Sequence, residues 1–193
     1  MNLPLILAST SRFRHELLSR LALPFQAAAP QCDETPLPDE APQELALRLA
    51  EGKAHSLTAA FPQALIIGSD QVAFALNRSF GKPGTLEQAA CMLRELSGQT
   101  LTFYTALVVL NSAHDRIHRH TDITRVKLRV LSDAVIERYL EREPDAVHCA
   151  GGAKSESLGM SLIERIDSSD PNALIGLPML RLVDFLLEEG ITP

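Results

Sequence analysis

The chain has 193 residues, 46% of them apolar, which excludes an intrinsically disordered protein and suffices for one domain with a proper core. Lys and Arg number 18 against 24 Asp and Glu, for a net charge of −6. This balance argues against a general nucleic-acid-binding protein, whose affinity comes mainly from neutralising phosphates. It leaves room for a small phosphorylated ligand, because a few cations can be focused at one site.

No apolar run approaches the length of a membrane span, so no contact with a membrane is expected. The N-terminal Met1-Asn2-Leu3-Pro4 has no basic segment, which predicts the absence of a signal peptide. Three cysteines (Cys32, Cys91 and Cys149) lie far apart without a CxxC motif. They predict neither a disulfide framework nor a zinc site, and they fit a reducing cytoplasm.

The first predicted unit is a strand, a hydroxyl-rich turn and a helix. Residues 4–8 form a short apolar run, and Ser9-Thr10-Ser11 suits the N-cap of a helix that begins after it. The free N–H groups of a helix N-terminus attract anions. Arg14 lies in the first turn, where a cation opposes the helix dipole, so it is interpreted either as a phosphate ligand or as a solvated surface side chain.

A second strand is predicted over residues 25–29, followed by an acidic, proline-rich loop that contains Glu34. Pro42 then opens a helix in which Lys53 shares an i, i+4 row with leucines. A buried lysine requires a partner or an anion, whereas a snorkelling one reaches water. The pattern favours the first interpretation, in which Lys53 faces a cleft.

Asp70 follows a predicted buried strand at residues 64–67, which is expected to break at Gly68-Ser69. In open α/β sheets, ligands bind where the strands end. A carboxylate at that place either binds a metal or takes a proton. The alternative is a turn aspartate that caps the next element.

Residues 72–76 are predicted to form a separate strand, followed by a turn at 77–79 and a rigid loop at 81–84 that presents Lys82. The capping-box pattern from Thr85 to Gln88 starts a helix that runs to about residue 96.

A long hairpin is predicted from residues 100–110 and 117–130, which are rich in β-branched and alternating residues. His118 and His120 lie on one face of its second strand. They are interpreted as exposed edge residues in preference to metal ligands, because no third ligand is evident.

In the last quarter of the chain, Ser132 is expected to cap a helix that ends at Glu143. Strands are predicted at residues 147–150 and 159–166, and a final helix at 177–187. The intervening Gly151-Gly152-Ala153-Lys154-Ser155 is not a phosphate-binding P-loop, because that motif requires glycine immediately before the lysine. The alternation of strands and helices, with one long hairpin, predicts an α/β fold with a mixed sheet.

Polar candidates fall at the ends of predicted elements and comprise three cations, two carboxylates and a serine. Cations suit the phosphates of a nucleotide, and carboxylates suit a hard divalent metal that keeps several waters. The set is Ser9, Arg14, Glu34, Lys53, Asp70 and Lys82.

The same stretches resemble the Maf family of nucleoside triphosphate pyrophosphatases, and the resemblance covers nearly the whole chain. The matching pieces are Leu7 to Arg14, Asp33-Glu34, Glu51 to Ala54, Gly68 to Val72, Gly81-Lys82-Pro83, Ala150 to Glu156 and Asp170 to Pro178. Two departures are the absence of the proline in the family's Ser-Pro-Arg-Arg, which here reads Ser11-Arg12-Phe13-Arg14, and His15 at a position that is often basic.

The resemblance implies a single domain over residues 1–193, with two lobes around a central cleft and an elongated, twisted mixed sheet flanked by helices, as in Maf and ITPase proteins. It implies hydrolysis between the α- and β-phosphates of a nucleotide substrate, a divalent cation (Mg²⁺ or Mn²⁺), a cytoplasmic location and a homodimer. Carried over by motif, Asp70, Glu34, Lys53 and Lys82 are catalytic, Ser9 and Arg14 bind substrate, and Asp70 with Glu34 lies near the metal. Asp70 is the family's proton acceptor, and a mainly metal-binding role is the alternative.

Three positions that track substrate within the family hold Phe13, Gln71 and Lys154. This pattern resembles the subgroup active on 7-methyl-GTP, which has an aromatic residue, Gln and Lys, and differs from the Arg, Thr and Gln of the subgroup active on dTTP and UTP. A methylated guanine is cationic and is attracted to an aromatic face, for which Phe is a weaker partner than Trp. The alternatives are a dTTP or UTP pyrophosphatase and a regulatory protein that binds nucleotides without turnover.

Overall fold

The structure is a computed structural model that describes residues 3–193. The prediction that the N-terminus lacks a signal peptide rests in part on Met1 and Asn2, which lie outside the described residues. Strands and helices alternate along the chain, as predicted. The strands are β1 (Leu5–Ala8), β2 (Phe25–Ala28), β3 (Leu65–Ala75), β4 (Arg78–Phe80), β5 (Thr100–Asn111), β6 (Arg116–Leu128) and β7 (Ile163–Asp167). The α-helices are α1 (Arg12–Ser19), α2 (Pro42–His55), α3 (Leu86–Leu96), α4 (Asp133–Arg142) and α5 (Met179–Glu188).

The seven strands form one sheet in the order β2-β1-β3-β5-β6-β7, and β4 pairs with β3 outside this path. Strand β1 is parallel to both β2 and β3, whereas β4 and β7 pair antiparallel with β3 and β6. The predicted α/β fold with a mixed sheet is therefore confirmed. The predicted hairpin is also confirmed, because β5 and β6 are neighbours joined by a short turn.

The chain divides into two compact units. The first contains the residues up to Gln71, Thr105–Asp122 and Asp170–Pro193. Its core is almost entirely aliphatic, with helices α1 and α5 burying their apolar faces against the strands. Core members include Leu7, Leu17, Leu18, Ile67, Leu107, Val109, Leu182 and Leu186.

The second unit contains Val72–Tyr104 and Ile123–Ser169. Helix α3 packs there on α4 and on two short 3₁₀ helices, Pro144–His148 and Ala150–Gly152. The buried side chains of these helices include Leu93, Leu96, Ile136 and Leu140. The central cleft implied by the family resemblance stays a prediction.

The predicted strand break at Gly68-Ser69 is wrong, because β3 is one continuous strand of 11 residues with Asp70 near its middle. The glycine serves close packing. A Cβ atom at Gly68 would lie 2.1 Å from the carbonyl oxygen of Ala50 in α2, so only glycine lets the helix approach the strand this closely. The separate strand predicted at residues 72–76 is the second half of β3. The turn predicted at 77–79 lies at Leu76 and Asn77, both with positive φ, and β4 begins at Arg78.

Two strands predicted in the second unit are also wrong, wholly or in part. Residues 147–150 span the two 3₁₀ helices and Cys149 between them. Pro144 opens the first helix, and Gly151 in the second adopts φ +76°. Residues 159–166 split into a 3₁₀ helix, Leu158–Leu162, and β7. A Cβ at Gly159 would lie 2.4 Å from the carbonyl oxygen of Lys154. The chain therefore folds back on itself within five residues, as a turn does and an extended strand does not.

The interpretation of His118 as an exposed residue is wrong. Its side chain is only 12% exposed, and its Nε2 lies 2.7 Å from Glu189 Oε1. The ring of Phe185 in α5 stacks on the imidazole with centroids 4.9 Å apart. Helix α5 therefore covers this face of β6, which alternation in β6 alone could not reveal. His120 is half-buried.

Within residues 3–193, no helix has both the length and the apolar character that a bilayer crossing would need.

Candidate functional site

Lys53 lies between two carboxylates in the first unit. Its Nζ is 2.6 Å from Asp70 Oδ1 and 2.9 Å from Glu34 Oε1. Lys53 and Asp70 are both buried, whereas the Glu34 side chain is 60% exposed. A lysine at this depth is stable only with such partners. The snorkelling alternative for Lys53 is therefore wrong.

Three elements position this cluster. The i, i+4 row of α2 turns Lys53 toward β3, and Gly68 lets α2 lie directly against that strand. Asp70 shares the α2-facing side of β3 with Gly68, two residues earlier. Glu34 comes from the acidic loop after β2, and its carboxylate reaches Lys53 although most of its side chain is exposed.

Arg14 is half-buried at the start of α1, and its Nε donates a hydrogen bond of 2.8 Å to the carbonyl oxygen of Gly176. Burial lowers the pKa of Arg14, while the charges of Asp70 and Glu34 oppose that shift. No residue in the described part of the chain pairs with its terminal Nη atoms. The anchored Nε thus leaves the Nη groups of the planar guanidinium to donate hydrogen bonds to two oxygens of an anion such as a phosphate.

Ser9 is buried at the end of β1, and its Oγ accepts a hydrogen bond from the backbone N–H of Ser11. Ser11 is the N-cap of α1, as the hydroxyl-rich turn predicted. A cavity of about 340 Å³ opens beside this helix N-terminus, next to the end of β2. The cavity is lined by Ser9, Thr10, Ser11, Arg12, His15, Ala27, Ala28 and Ala29.

Phe13 is half-buried in the first turn of α1, and one face of its ring holds the guanidinium of Arg12 at 4.8 Å from the centroid. The ring is therefore not fully packed into the core beside α1. It already binds one cation in this structure.

Gln71 lies on the face of β3 opposite to Asp70, because side chains alternate along a strand. Its Nε2 donates to Thr105 Oγ1 at 2.9 Å and to the carbonyl oxygens of Ala173 and Leu174, both at 3.0 Å. Strand geometry thus separates Gln71 from the Lys53 cluster. Gln71 and Arg14 nevertheless contact the same short segment, residues 173–176.

Lys82 and Lys154 belong to the second unit. Lys82 is exposed in a loop that forms two backbone hydrogen bonds with the 3₁₀ helices at residues 144–152. The N–H of Gly84 donates to the carbonyl oxygen of Val147, and the N–H of Gly151 donates to that of Gly81.

Lys154 pairs with Glu143 at 3.0 Å and with Asp145 at 3.5 Å. A hydrogen bond from Ser157 lowers the pKa of Glu143 although the residue is buried, and Lys154 lowers it further.

The carboxylates of Asp70 and Glu34 fit a hard divalent cation in their chemistry. Each uses one oxygen for Lys53, and among residues 3–193 neither has a partner on its second oxygen. The described residues contain no group of three or more Asp, Glu, His or Cys side chains that could hold a metal. Two carboxylates completed by waters and substrate phosphates are the arrangement usual for Mg²⁺, so the donor set fits that kind of site.

Several residues around this cluster were missed by sequence reasoning. Ser69 is fully buried, and its hydroxyl donates to the carbonyl oxygen of Gly176 at 3.0 Å. Because the same oxygen also accepts from Arg14, it connects β3 to α1. Burial raises the pKa of the nearby Cys32 thiol, while Lys53 opposes the shift. Thr105 falls in a strand that was predicted from the sequence, but no contact with Gln71 was predicted for it. The motifs around Gly68 and Gly176 were the only signal that could have pointed to these partners.

A family model described as Maf-like protein matches residues 4–189. The chain is 57% identical over 191 residues to a 7-methyl-GTP pyrophosphatase of Neisseria gonorrhoeae, covering 99% of this chain and 97% of the relative. Proteins of the same name from Chromobacterium violaceum and Vibrio cholerae are 54% and 47% identical, and each alignment covers at least 97% of both chains. With a match across nearly its entire length, this chain belongs to the Maf family.

Proposed function

We propose that this protein is a nucleoside triphosphate pyrophosphatase that hydrolyses 7-methyl-GTP to 7-methyl-GMP and pyrophosphate. The observation that carries the proposal is the buried Lys53 held between Asp70 and Glu34, with Arg14 in their field, in a chain whose full-length relatives bear that name. Positive and negative groups converge there, as hydrolysis of a polyphosphate requires.

In the proposed reaction, water attacks the α-phosphorus, its proton passes to Asp70, and the bond from the α-phosphorus to the bridging oxygen breaks. Pyrophosphate leaves with the electron pair of that bond. Arg14 and Lys53 stabilise the negative charge that develops on the phosphate oxygens. Ser9 offers its hydroxyl at the N-terminus of α1, where backbone N–H groups also favour an anion. By family resemblance, we assign Lys82 a further phosphate contact.

Asp70 and Glu34 would hold a divalent cation, Mg²⁺ or Mn²⁺, through the carboxylate oxygen that does not contact Lys53. When bound, such an ion supplies positive charge to the phosphate oxygens. We expect chelation to abolish turnover and either ion to restore it, which a titration of pyrophosphate release measures. Full turnover after exhaustive chelation would contradict the metal assignment.

The assignment of 7-methyl-GTP is supported by Phe13, Gln71 and Lys154 at the positions that track substrate in the family. The Arg12 guanidinium on the Phe13 ring supports the affinity of that ring for a cation, which 7-methylguanine provides. A cytoplasmic location and a homodimer are proposed from the family resemblance alone. Sedimentation analysis at several concentrations tests the dimer.

A panel of 7-methyl-GTP, GTP, dTTP and UTP, with released pyrophosphate and nucleotide products measured, tests the function. We expect the highest kcat/KM for 7-methyl-GTP. A preference for dTTP or UTP would move the protein to the other subgroup. Tight binding without release of pyrophosphate from any nucleotide would favour the regulatory binding protein.

A further inference from the structure

The hydroxyl of Thr105 lies in the interior of the first unit and touches a residue that tracks substrate. Thr105 on β5 is 0% exposed. Its Oγ1 donates to the carbonyl oxygen of Ala173 at 3.0 Å and accepts from Gln71 Nε2 at 2.9 Å. Because the single hydroxyl proton is directed to Ala173, the oxygen has only lone pairs to offer to Gln71.

These contacts determine the orientation of the Gln71 amide. Its inner atom faces the hydroxyl of Thr105 and two carbonyl oxygens, which only accept hydrogen bonds. That atom must therefore be the nitrogen, since an oxygen there would face acceptors alone. The outer atom is Oε1, which has no hydrogen-bond partner within residues 3–193. Every buried side-chain nitrogen or oxygen in the described part of the chain has a partner, so this oxygen is open to solvent.

We propose that Thr105 is a positioning residue that fixes Gln71 so that it presents only a hydrogen-bond acceptor to the substrate base. This inference rests on the proposed function. The edge of the base that meets Gln71 then carries an N–H donor, which guanine supplies at N1 and at its 2-amino group. Without the hydroxyl, the amide loses one of its acceptors and rotates more freely, which weakens binding of the base and leaves the phosphate chemistry intact.

The test compares Thr105→Val, which keeps the side-chain shape, with Thr105→Ser, which restores the hydroxyl. Loss of one hydrogen bond in Thr105→Val should raise KM for 7-methyl-GTP about five- to tenfold, with kcat within about twofold of the wild type. Thr105→Ser should recover most of the affinity. Thr102→Val, on the same strand, is the matched control and should leave KM unchanged, because the Thr102 side chain makes no hydrogen bond to a described residue.

A double-mutant cycle shows whether Thr105 acts through Gln71. In a Gln71→Ala background, Thr105→Val should cause no further loss, because the group that it positions is gone. Three results would each overturn the proposal: additive losses of affinity in the double mutant, an unchanged KM in Thr105→Val, or a fall in kcat as large as the rise in KM. The same cycle, measured as the Kd of the non-hydrolysable α,β-methylene analogue of 7-methyl-GTP, does not require turnover. Failure of the proposed hydrolysis therefore remains distinguishable from failure of the Thr105 assignment.

Discussion

At the scale of single residues, Lys53 and Asp70 show how one close contact combines stability with a candidate reaction centre. A buried ammonium next to two carboxylates is satisfied even when one carboxylate is neutralised. The Glu34 contact at 2.9 Å would remain after a change at Asp70. The function of Asp70 can therefore be tested apart from the integrity of the fold.

We predict that Asp70→Asn lowers pyrophosphate release at least about 100-fold, since a positioned proton acceptor contributes that much or more. Nucleotide binding, measured by calorimetry, should survive, because Arg14 and Lys53 stay in place. Asp184→Asn, at an exposed position paired with Arg181, is the control and should behave as the wild type. Wild-type turnover in Asp70→Asn would remove Asp70 from the mechanism.

Gly68 provides a second residue-scale prediction. Any Cβ at this position would lie 2.1 Å from a backbone oxygen of α2, so the helix would have to move away from β3. We expect Gly68→Ala to lower the free energy of unfolding by at least about 2 kcal/mol in urea denaturation. Gly81→Ala is the control, because a Cβ there has nothing within 4 Å. Equal stability of the two variants would show that α2 adapts without strain.

At the scale of elements, helices α3 and α4 differ in how their N-termini are capped. Thr85 accepts a hydrogen bond of 3.2 Å from the Gln88 N–H, as the capping-box pattern predicted. Ser132 occupies the predicted N-cap position of α4 but makes no side-chain capping bond. A hydroxyl residue at the N-cap position therefore makes a capping hydrogen bond in α3 and makes none in α4.

We predict that Thr85→Ala lowers the free energy of unfolding by about 1 kcal/mol, the usual value of a lost cap. Ser132→Ala should cost only a few tenths of a kcal/mol, since it removes no capping bond. Thermal and urea unfolding of the two variants provide the comparison. A larger loss in Ser132→Ala would mean that this hydroxyl caps α4 in solution.

At the scale of the whole molecule, the predicted dependence of stability on pH rests on a buried carboxylate near the C-terminus. Glu189 accepts hydrogen bonds from His118 and Asn111, and Arg116 lies 3.3 Å away. Burial alone would raise its pKa, but these partners outweigh burial, and the pKa of Glu189 is lowered. A carboxyl with a lowered pKa stabilises the fold above its unfolded pKa of about 4.3, and this contribution disappears as the pH falls through the folded pKa.

Glu189→Gln should therefore lower the free energy of unfolding near neutral pH by about 2 kcal/mol. Its difference from the wild type should shrink as the pH falls below about 4, where the wild-type carboxyl also becomes neutral. Denaturant titrations between pH 3 and 7 measure both quantities. Glu164→Gln is the control and should change stability little, because Glu164 is exposed and has no ion pair with a described residue. A difference that does not vary with pH would rule out this carboxyl as the cause.

Much of the fold could be predicted because its signals are local. Ser11, Pro42 and Thr85 mark helix starts, and the leucine row of α2 indicates the face that carries Lys53. Element types and order follow from periodicities of a few residues, which depend on backbone geometry alone. The errors occurred where a glycine marks close packing, as at Gly68, or where Pro144 and Gly151 favour 3₁₀ turns over a strand.

The sequence determined the types and order of most elements and the charged residues of the candidate site. Those residues are two carboxylates, three lysines and one arginine. Only the tertiary structure decided which of them touch. Arg14 meets Gly176 across 162 positions, and Gln71 meets Thr105 and Ala173 across 34 and 102. Contacts at such separations depend on how strands and turns pack against each other, and no local pattern encodes that packing. For the same reason, the alternation that places Asp70 and Gln71 on opposite faces became visible only once β3 was seen to be continuous.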